Sequence, residues 1–153
     1  MRRITAVGSI VLCLLVPSHS WSGTFSLRPL QSNSLIEHDS AVAKLEAGPH
    51  NGGGQTTAYS FFARAPNLAL VFRKRALHPG AAIGYHRQDE DEIYYVVSGT
   101  GELTLNGQRS IVGPGTAILT RTSSSHGLRQ IGTKDLVIIV AYLPSDRRPR
   151  TYP

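Results

Sequence analysis

Glu92-Ile93-Tyr94-Tyr95-Val96-Val97-Ser98-Gly99-Thr100-Gly101-Glu102-Leu103-Thr104-Leu105-Asn106-Gly107-Gln108-Arg109-Ser110-Ile111-Val112 is the stretch that decides the fold. Asn106-Gly107 is the strongest short signal for a tight hairpin, because both central residues of such a turn take positive φ. It is flanked by Glu102–Leu105 and Gln108–Val112, and preceded by Glu92–Val97, a run of β-branched and aromatic residues. Working outward, Thr57–Phe62 and Leu68–Leu77 have strand composition, the second ending at His78-Pro79-Gly80. Gly113-Pro114-Gly115 is a turn before Thr116–Thr120, and Gly132-Thr133-Lys134-Asp135 separates His126–Ile131 from Leu136–Leu143. Short strands divided by turns predict an all-β, antiparallel sandwich or barrel. Ala41–Leu45 reads as a short helix or strand, and Pro49-His50-Asn51-Gly52-Gly53-Gly54-Gln55 as a flexible loop.

The chain has 153 residues, one domain's worth, with 41% hydrophobic and 17% charged residues. That composition excludes a disordered tail and a coiled coil. Lys and Arg number 16 against 10 acidic residues, a formal +6, but part of the surplus is terminal: Arg2, Arg3, Arg147, Arg148 and Arg150. A nucleic-acid binder gathers such charge on one face, so no nucleic-acid partner is expected.

Residues 1–22 read as an export signal. Arg2-Arg3 gives a basic start, Ile4–Val16 an apolar run too short for a comfortable span, and Ser18-His19-Ser20 and Ser22-Gly23 small-residue cleavage sites. Its removal leaves 14 basic against 10 acidic residues, a balance of +4, and takes away Cys13, the sole cysteine. The expected location is periplasmic or secreted, with no stable membrane insertion after removal of the signal. The organisation expected is a signal at 1–22, an N-terminal arm and loop at 23–56, the barrel at 57–143 and a flexible basic tail at 144–153.

The chemistry gathers between Gly80 and Glu92. On a strand i and i+2 face the same way, so His86 and Gln88 point together. Asp89-Glu90-Asp91 is too acidic for an interior and reads as a solvated turn, after which the chain can return Glu92 beside His86. His126 follows the polar stretch Thr122-Ser123-Ser124-Ser125. Two imidazoles and a carboxylate make a 2-His-1-carboxylate site for a divalent first-row metal. Isolated histidines are usually structural or exposed; His19, His38, His50 and His78 are placed in that class.

These residues resemble the motifs of the cupin family. Its first motif, G-x5-H-x-H-x3,4-E-x6-G, is matched by Gly80, His86, Glu92 and Gly99, with Gln88 in place of the second histidine. Its second, G-x5-P-x-G-x2-H-x3-N, is matched by Gly115 and His126, whereas Arg121, Ser123 and Gln130 replace Pro, Gly and Asn. The likeness covers about Thr57 to Leu143 and is similar to the small single-domain, oxalate-decarboxylase-like cupins. It implies a jelly-roll (double-stranded β-helix) barrel and one divalent transition metal (Mn, Fe, Ni or Zn) held by His86, Gln88, Glu92 and His126. It also implies a homodimer, with Thr24–Leu45 as a candidate exchanged segment. Replacing imidazole by an amide oxygen hardens the site, away from Cu.

A divalent ion with one ionised carboxylate leaves the cup at +1, which favours small carboxylates or other oxygen-rich anions. Tyr94 shares parity with Glu92 and is the candidate proton-handling catalytic residue. Arg73 and Arg75 share a strand face with Leu77, a position cupins turn inward, so either can meet a substrate carboxylate. By the same parity Tyr59 and Phe61 are expected to form an apolar wall of the cup. Decarboxylation, dioxygenation and isomerisation stay open, as do a non-catalytic binding protein for a sugar acid and a barrel whose metal only rigidifies the fold.

Overall fold

A computed structural model describes residues 35–145. The export signal, the first part of the arm and the basic tail from 146 onward lie outside the described residues. Among the described residues no helix is long and apolar enough to cross a membrane.

Among the described residues ten strands form two antiparallel sheets. They are β1 (Ala43–Ala47), β2 (Gln55–Phe61), β3 (Val71–Leu77), β4 (Ala82–Arg87), β5 (Glu92–Ser98), β6 (Thr100–Leu105), β7 (Gln108–Val112), β8 (Ala117–Thr120), β9 (Ser125–Ile131) and β10 (Leu136–Tyr142). One sheet runs β1-β2-β3-β10-β5-β8, the other β4-β9-β6-β7. The Asn106-Gly107 turn joins β6 to β7 as expected, with φ of 50° and 81°. Ala41–Leu45 divides between both readings: a single helical turn, α1 (Asp39–Val42), runs directly into β1. Because β1 pairs with β2, the sheet begins at Ala43 rather than at Thr57.

Alternation of side chains sorts each strand into a core face and an outer face. In β5, Glu92, Tyr94 and Val96 are buried while Ile93, Tyr95 and Val97 are exposed. The core between the sheets is built on Leu77, Val96, Leu103, Leu128, Leu136 and Ile138. Farther along the same inner faces, Arg73, Arg75, Glu92 and Tyr94 replace aliphatic residues, and a cavity of about 350 Å³ opens there. The apolar part of the interior thus supports a polar cup.

The stretch 49–55 is more ordered in its packing than a flexible loop. Pro49–Asn51 forms a short 3-10 turn, with Gly48 N–H donating to Gly54 O and Ala82 N–H to Gly53 O. The turn lies against β4 so closely that a Cβ at Gly84 would stand 1.9 Å from the His50 carbonyl oxygen. One at Gly52 would stand 2.0 Å from the Ala82 oxygen. Glycine is required at both by the close approach of two backbones.

Candidate functional site

Strand register assembles the site. His86 on β4 is directly opposite His126 on β9, so both rings rise from the same face. Their centroids are 4.7 Å apart, edge to face. Glu92 opens β5 opposite Thr120 on β8 and Tyr142 on β10, and its carboxylate oxygen Oε2 lies 3.4 Å from His126 Nε2. Gln88 follows β4, anchored by its backbone: its N–H donates to Ser124 O and its carbonyl accepts from Ser123 N–H, each at 2.8 Å. His86, Gln88, Glu92 and Tyr94 all line the cup; His126 is buried beside them, its ring centroid 5.1 Å from that of Tyr94.

Each imidazole is oriented through Nδ1. His86 Nδ1 is 2.8 Å from the Gly84 carbonyl, which requires that nitrogen to carry the proton and leaves Nε2 with its lone pair. His126 Nδ1 is bonded to the Thr120 hydroxyl; when Nδ1–H is the donor, Nε2 again is the bare nitrogen. Partners of this kind hold metal-ligating histidines in one ring orientation. The Tyr94 hydroxyl is 3.4 Å from His126 Nε2 and hydrogen-bonds the Glu92 carboxyl.

Burial dominates the electrostatics. Desolvation raises the Glu92 pKa to about 7, against lowering by the Tyr94 hydrogen bond and by Arg73. Desolvation, then the neighbouring His86 and His50, lowers His126 to about 4. Burial and the adjacent Glu92 push the Tyr94 phenol well above its ordinary value. At neutral pH His126 is an uncharged nitrogen donor and Tyr94 an intact hydroxyl.

The fit to a divalent ion can be judged on these atoms. Glu92 Oε2 is buried without any hydrogen-bond partner. Its 3.4 Å approach to His126 Nε2 brings two lone-pair donors together, a contact that a cation between them would satisfy. Among the described residues no three His, Cys, Asp or Glu side chains converge closely enough to close a metal site. His126 and Glu92 face one another, whereas the His86 ring is taken up in another contact. The chemistry of the donors fits; their closure is incomplete.

That other contact is with His50. Its ring lies parallel to His86, with 3.5 Å between centroids and 5° between planes. His50 has φ +52° and Asn51 φ +58°, conformations rare for residues with a Cβ. Strain of this sort persists where surrounding structure imposes it, here the turn packed on Gly84. Sequence reasoning set His50 aside as a lone histidine. The signal that points to it is Gly84 inside a strand, which marks the approach of a second backbone. Of the others in that class, His19 lies outside the described residues, whereas His38 caps α1 and His78 is bonded to Thr57 and Asp135, away from the cup.

The two arginines part company. Arg75 is buried and engaged, with Nη1 donating to Thr56 Oγ1 at 2.7 Å and Nη2 to Glu46 Oε1 at 2.8 Å. Arg73 lines the cup with its guanidinium 5.9 Å over the Tyr142 ring, and has no carboxylate partner among the described residues. The expectation for Tyr59 and Phe61 is corrected. They pair with Lys74 and Phe72, on the outer face of β3, so they point away from the cup. The inner positions of β2 are Thr56, Ala58 and Ser60, facing Leu77, Arg75 and Arg73. The large arginine side chains of β3 fill the interior there, and β2 supplies small residues beside them.

Comparison with known proteins agrees with this geometry. Residues 74–142 match the cupin domain family model. Over 78 residues the chain is 31% identical to an oxalate-binding protein of Thermotoga maritima, covering 50% of this chain and 64% of that one. Over 66 residues it is 32% identical to a 5-nitrosalicylic acid 1,2-dioxygenase of Bradyrhizobium, covering 43% of this chain and 32% of that one. The matches span less than two thirds of either relative. Among solved structures, a predicted oxalate decarboxylase of Thermotoga maritima superposes with a TM-score of 0.66 at 23% identity, covering 71% of this chain and 98% of that one. At these identities the structural likeness establishes the jelly-roll fold. Residues 74–142 thus match a cupin domain, and the two-sheet barrel to which they contribute has the jelly-roll fold of these solved structures.

Proposed function

We propose that this chain takes a small carboxylate, or another oxygen-rich anion, at a divalent transition metal held by His86, Glu92 and His126, with Gln88 as the adjoining neutral ligand. The observation that carries the reading is the buried, unpartnered Glu92 Oε2 facing His126 Nε2. When bound, such an ion supplies Lewis-acid polarisation of a chelating oxygen. The chain's own groups do the rest. Arg73 offers a guanidinium to the anion at the cup wall, and Tyr94 holds a hydroxyl proton beside Glu92. The oxalate-binding protein supports the ligand class by its name.

The test is calorimetric titration of oxalate into protein loaded with Mn(II), beside the variant Arg73→Gln. The variant is expected to bind about 10- to 100-fold more weakly, the effect of losing a charge-assisted pair, with thermal stability unchanged because Arg73 is in no ion pair. Equal binding would remove Arg73 from the site, and absence of binding to the parent would remove the carboxylate. Turnover of a carboxylate panel separates an enzyme from the alternative, a binding protein for a sugar acid or similar ligand.

We further infer export and self-association. Export rests on residues 1–22, and an intact mass that includes them in protein recovered from the cell would refute it. Self-association rests on the outer face of the six-stranded sheet, where Ile93, Tyr95, Val97 and Leu119 are 46–50% exposed. An apolar patch of this kind marks an interface. A homodimer on size-exclusion chromatography, dissociated by Tyr95→Glu, is expected; a monomer at high concentration would contradict it.

A further inference from the structure

The turn Pro49–Asn51 devotes uncommon backbone geometry to one side chain. His50 and Asn51 have φ of +52° and +58° in succession, and consecutive left-handed residues that carry a Cβ persist only where the fold imposes them. The imposition comes from close backbone packing. A Cβ at Gly48 would stand 2.3 Å from the Ala82 oxygen, and one at Gly84 1.9 Å from the His50 oxygen. Strain held in this way gathers at ligand sites. What it delivers here is an imidazole on the wall of the cup.

That imidazole extends the donors already described. The His50 ring lies 3.5 Å from His86, the His86 ring 4.7 Å from His126, and Glu92 Oε2 3.4 Å from His126 Nε2. The four side chains form one unbroken run of lone-pair donors. Nδ1 of His38, His78, His86 and His126 each has a hydrogen-bond partner, whereas neither ring nitrogen of His50 has one among the described residues. The stacking distance suits two ligands of one ion. Nitrogens about 2.1 Å from an ion and about 90–110° apart stand about 3.0–3.4 Å from each other, close to the separation of the two rings.

We propose that His50 is a further ligand of the cup's divalent ion, a third imidazole supplied by the turn before β2 and making good the nitrogen that Gln88 lacks. The inference rests on the metal reading of the cup. Closure requires the stacked pair to draw toward Glu92, since the donors do not converge on one point as they stand. An amide oxygen at position 88 hardens the site, and a third imidazole nitrogen restores its fit to Fe, Ni or Zn.

Cobalt(II) counts the ligands directly. A ligating imidazole keeps its other ring N–H, and in the NMR spectrum of the Co(II)-loaded full chain each such proton is shifted far outside the ordinary range. Three exchangeable signals of this kind are expected. His50→Phe keeps a ring for the stack and has no nitrogen; His50→Gly suits positive φ and removes the ring altogether. His50 is exposed, so neither change disturbs the core, and the circular dichroism of the parent is expected in both. Each variant should show two signals and bind Mn(II) about tenfold or more weakly in calorimetric titration. Two signals in a parent that binds Mn(II) overturn His50 as a ligand and leave the metal reading of the cup standing. So does parent-like Mn(II) affinity in either variant; where it survives in His50→Phe alone, the ring serves only by stacking. A parent that takes up neither Co(II) nor Mn(II) overturns the metal reading, and this inference with it.

Discussion

Glu92→Gln is expected to abolish cation retention and, in metal-free protein above pH 7, to increase stability. The opposite signs follow from one cause. Burial raises the Glu92 pKa from 4.5 to about 7. A carboxyl whose folded value exceeds its unfolded value contributes stability that is fully present below pH 4.5 and is lost as pH rises through about 7. The whole difference is about 3 kcal/mol. A neutral glutamine of the same shape escapes that loss, so the variant should gain stability over the parent only at high pH. His126, lowered from 6.5 to about 4, has the reverse window: its contribution is present above 6.5 and lost as pH falls through 4. It limits stability on the acid side in both proteins alike.

The same substitution removes the one anionic donor of the set, and at least about a hundredfold loss of affinity for Mn(II) is expected. In the parent a cation must displace the Glu92 proton below about pH 7, so on that account affinity falls about tenfold for each unit by which the pH drops. The variant should release one proton fewer per ion bound. Chelator competition and thermal melts at both ends of this pH range measure each effect. Parent-like affinity, or a variant less stable than the parent at high pH, would show that Glu92 has another purpose.

Gly84→Ala is expected to dismantle the contact between the 3-10 turn and β4. The added methyl would stand 1.9 Å from the His50 carbonyl and 3.0 Å from Gly52 N, both backbone atoms. The turn must lift, at a cost of about 1–3 kcal/mol. The His50 ring then leaves the face of His86, which would change the ring-current shift of the His86 carbon-bound protons in NMR spectra. A lower melting temperature together with that shift is the predicted pair. Unaltered His86 resonances would mean that His50 is seated by something other than the close approach at Gly84. A parallel loss of Mn(II) affinity is expected as well, since His50 leaves the proposed donor set with the turn.

Much of the fold was legible because its signals are local. The Asn106-Gly107 turn, the run Glu92–Val97 and the glycine punctuation each act over a few residues, and their strands lie where period-two reading set them. Motif spacing was legible for the same reason. His86, Glu92 and His126 come together because antiparallel register sets His86 opposite His126 and Glu92 opposite Thr120, the residue that orients His126. Parity also made Tyr94 an inward residue.

Parity does not say which face is inner when size and polarity disagree. In β2 the large apolar residues, Tyr59 and Phe61, face outward, and Thr56, Ala58 and Ser60 face in, because the interior is already occupied by the β3 arginines. Nor does a local pattern reveal that Arg75 is neutralised by Glu46, from a strand 29 residues away, while Arg73 lines the cup with no carboxylate partner among the described residues. His50 reaches His86 only by a backbone contact between segments distant along the chain. The amino-acid sequence alone therefore determined the strands, their turns and the set of candidate donors, since these depend on neighbours along the backbone. Tertiary packing decided which donors face one another and which arginine is taken into an ion pair, since those outcomes depend on which side chains compete for the same interior volume.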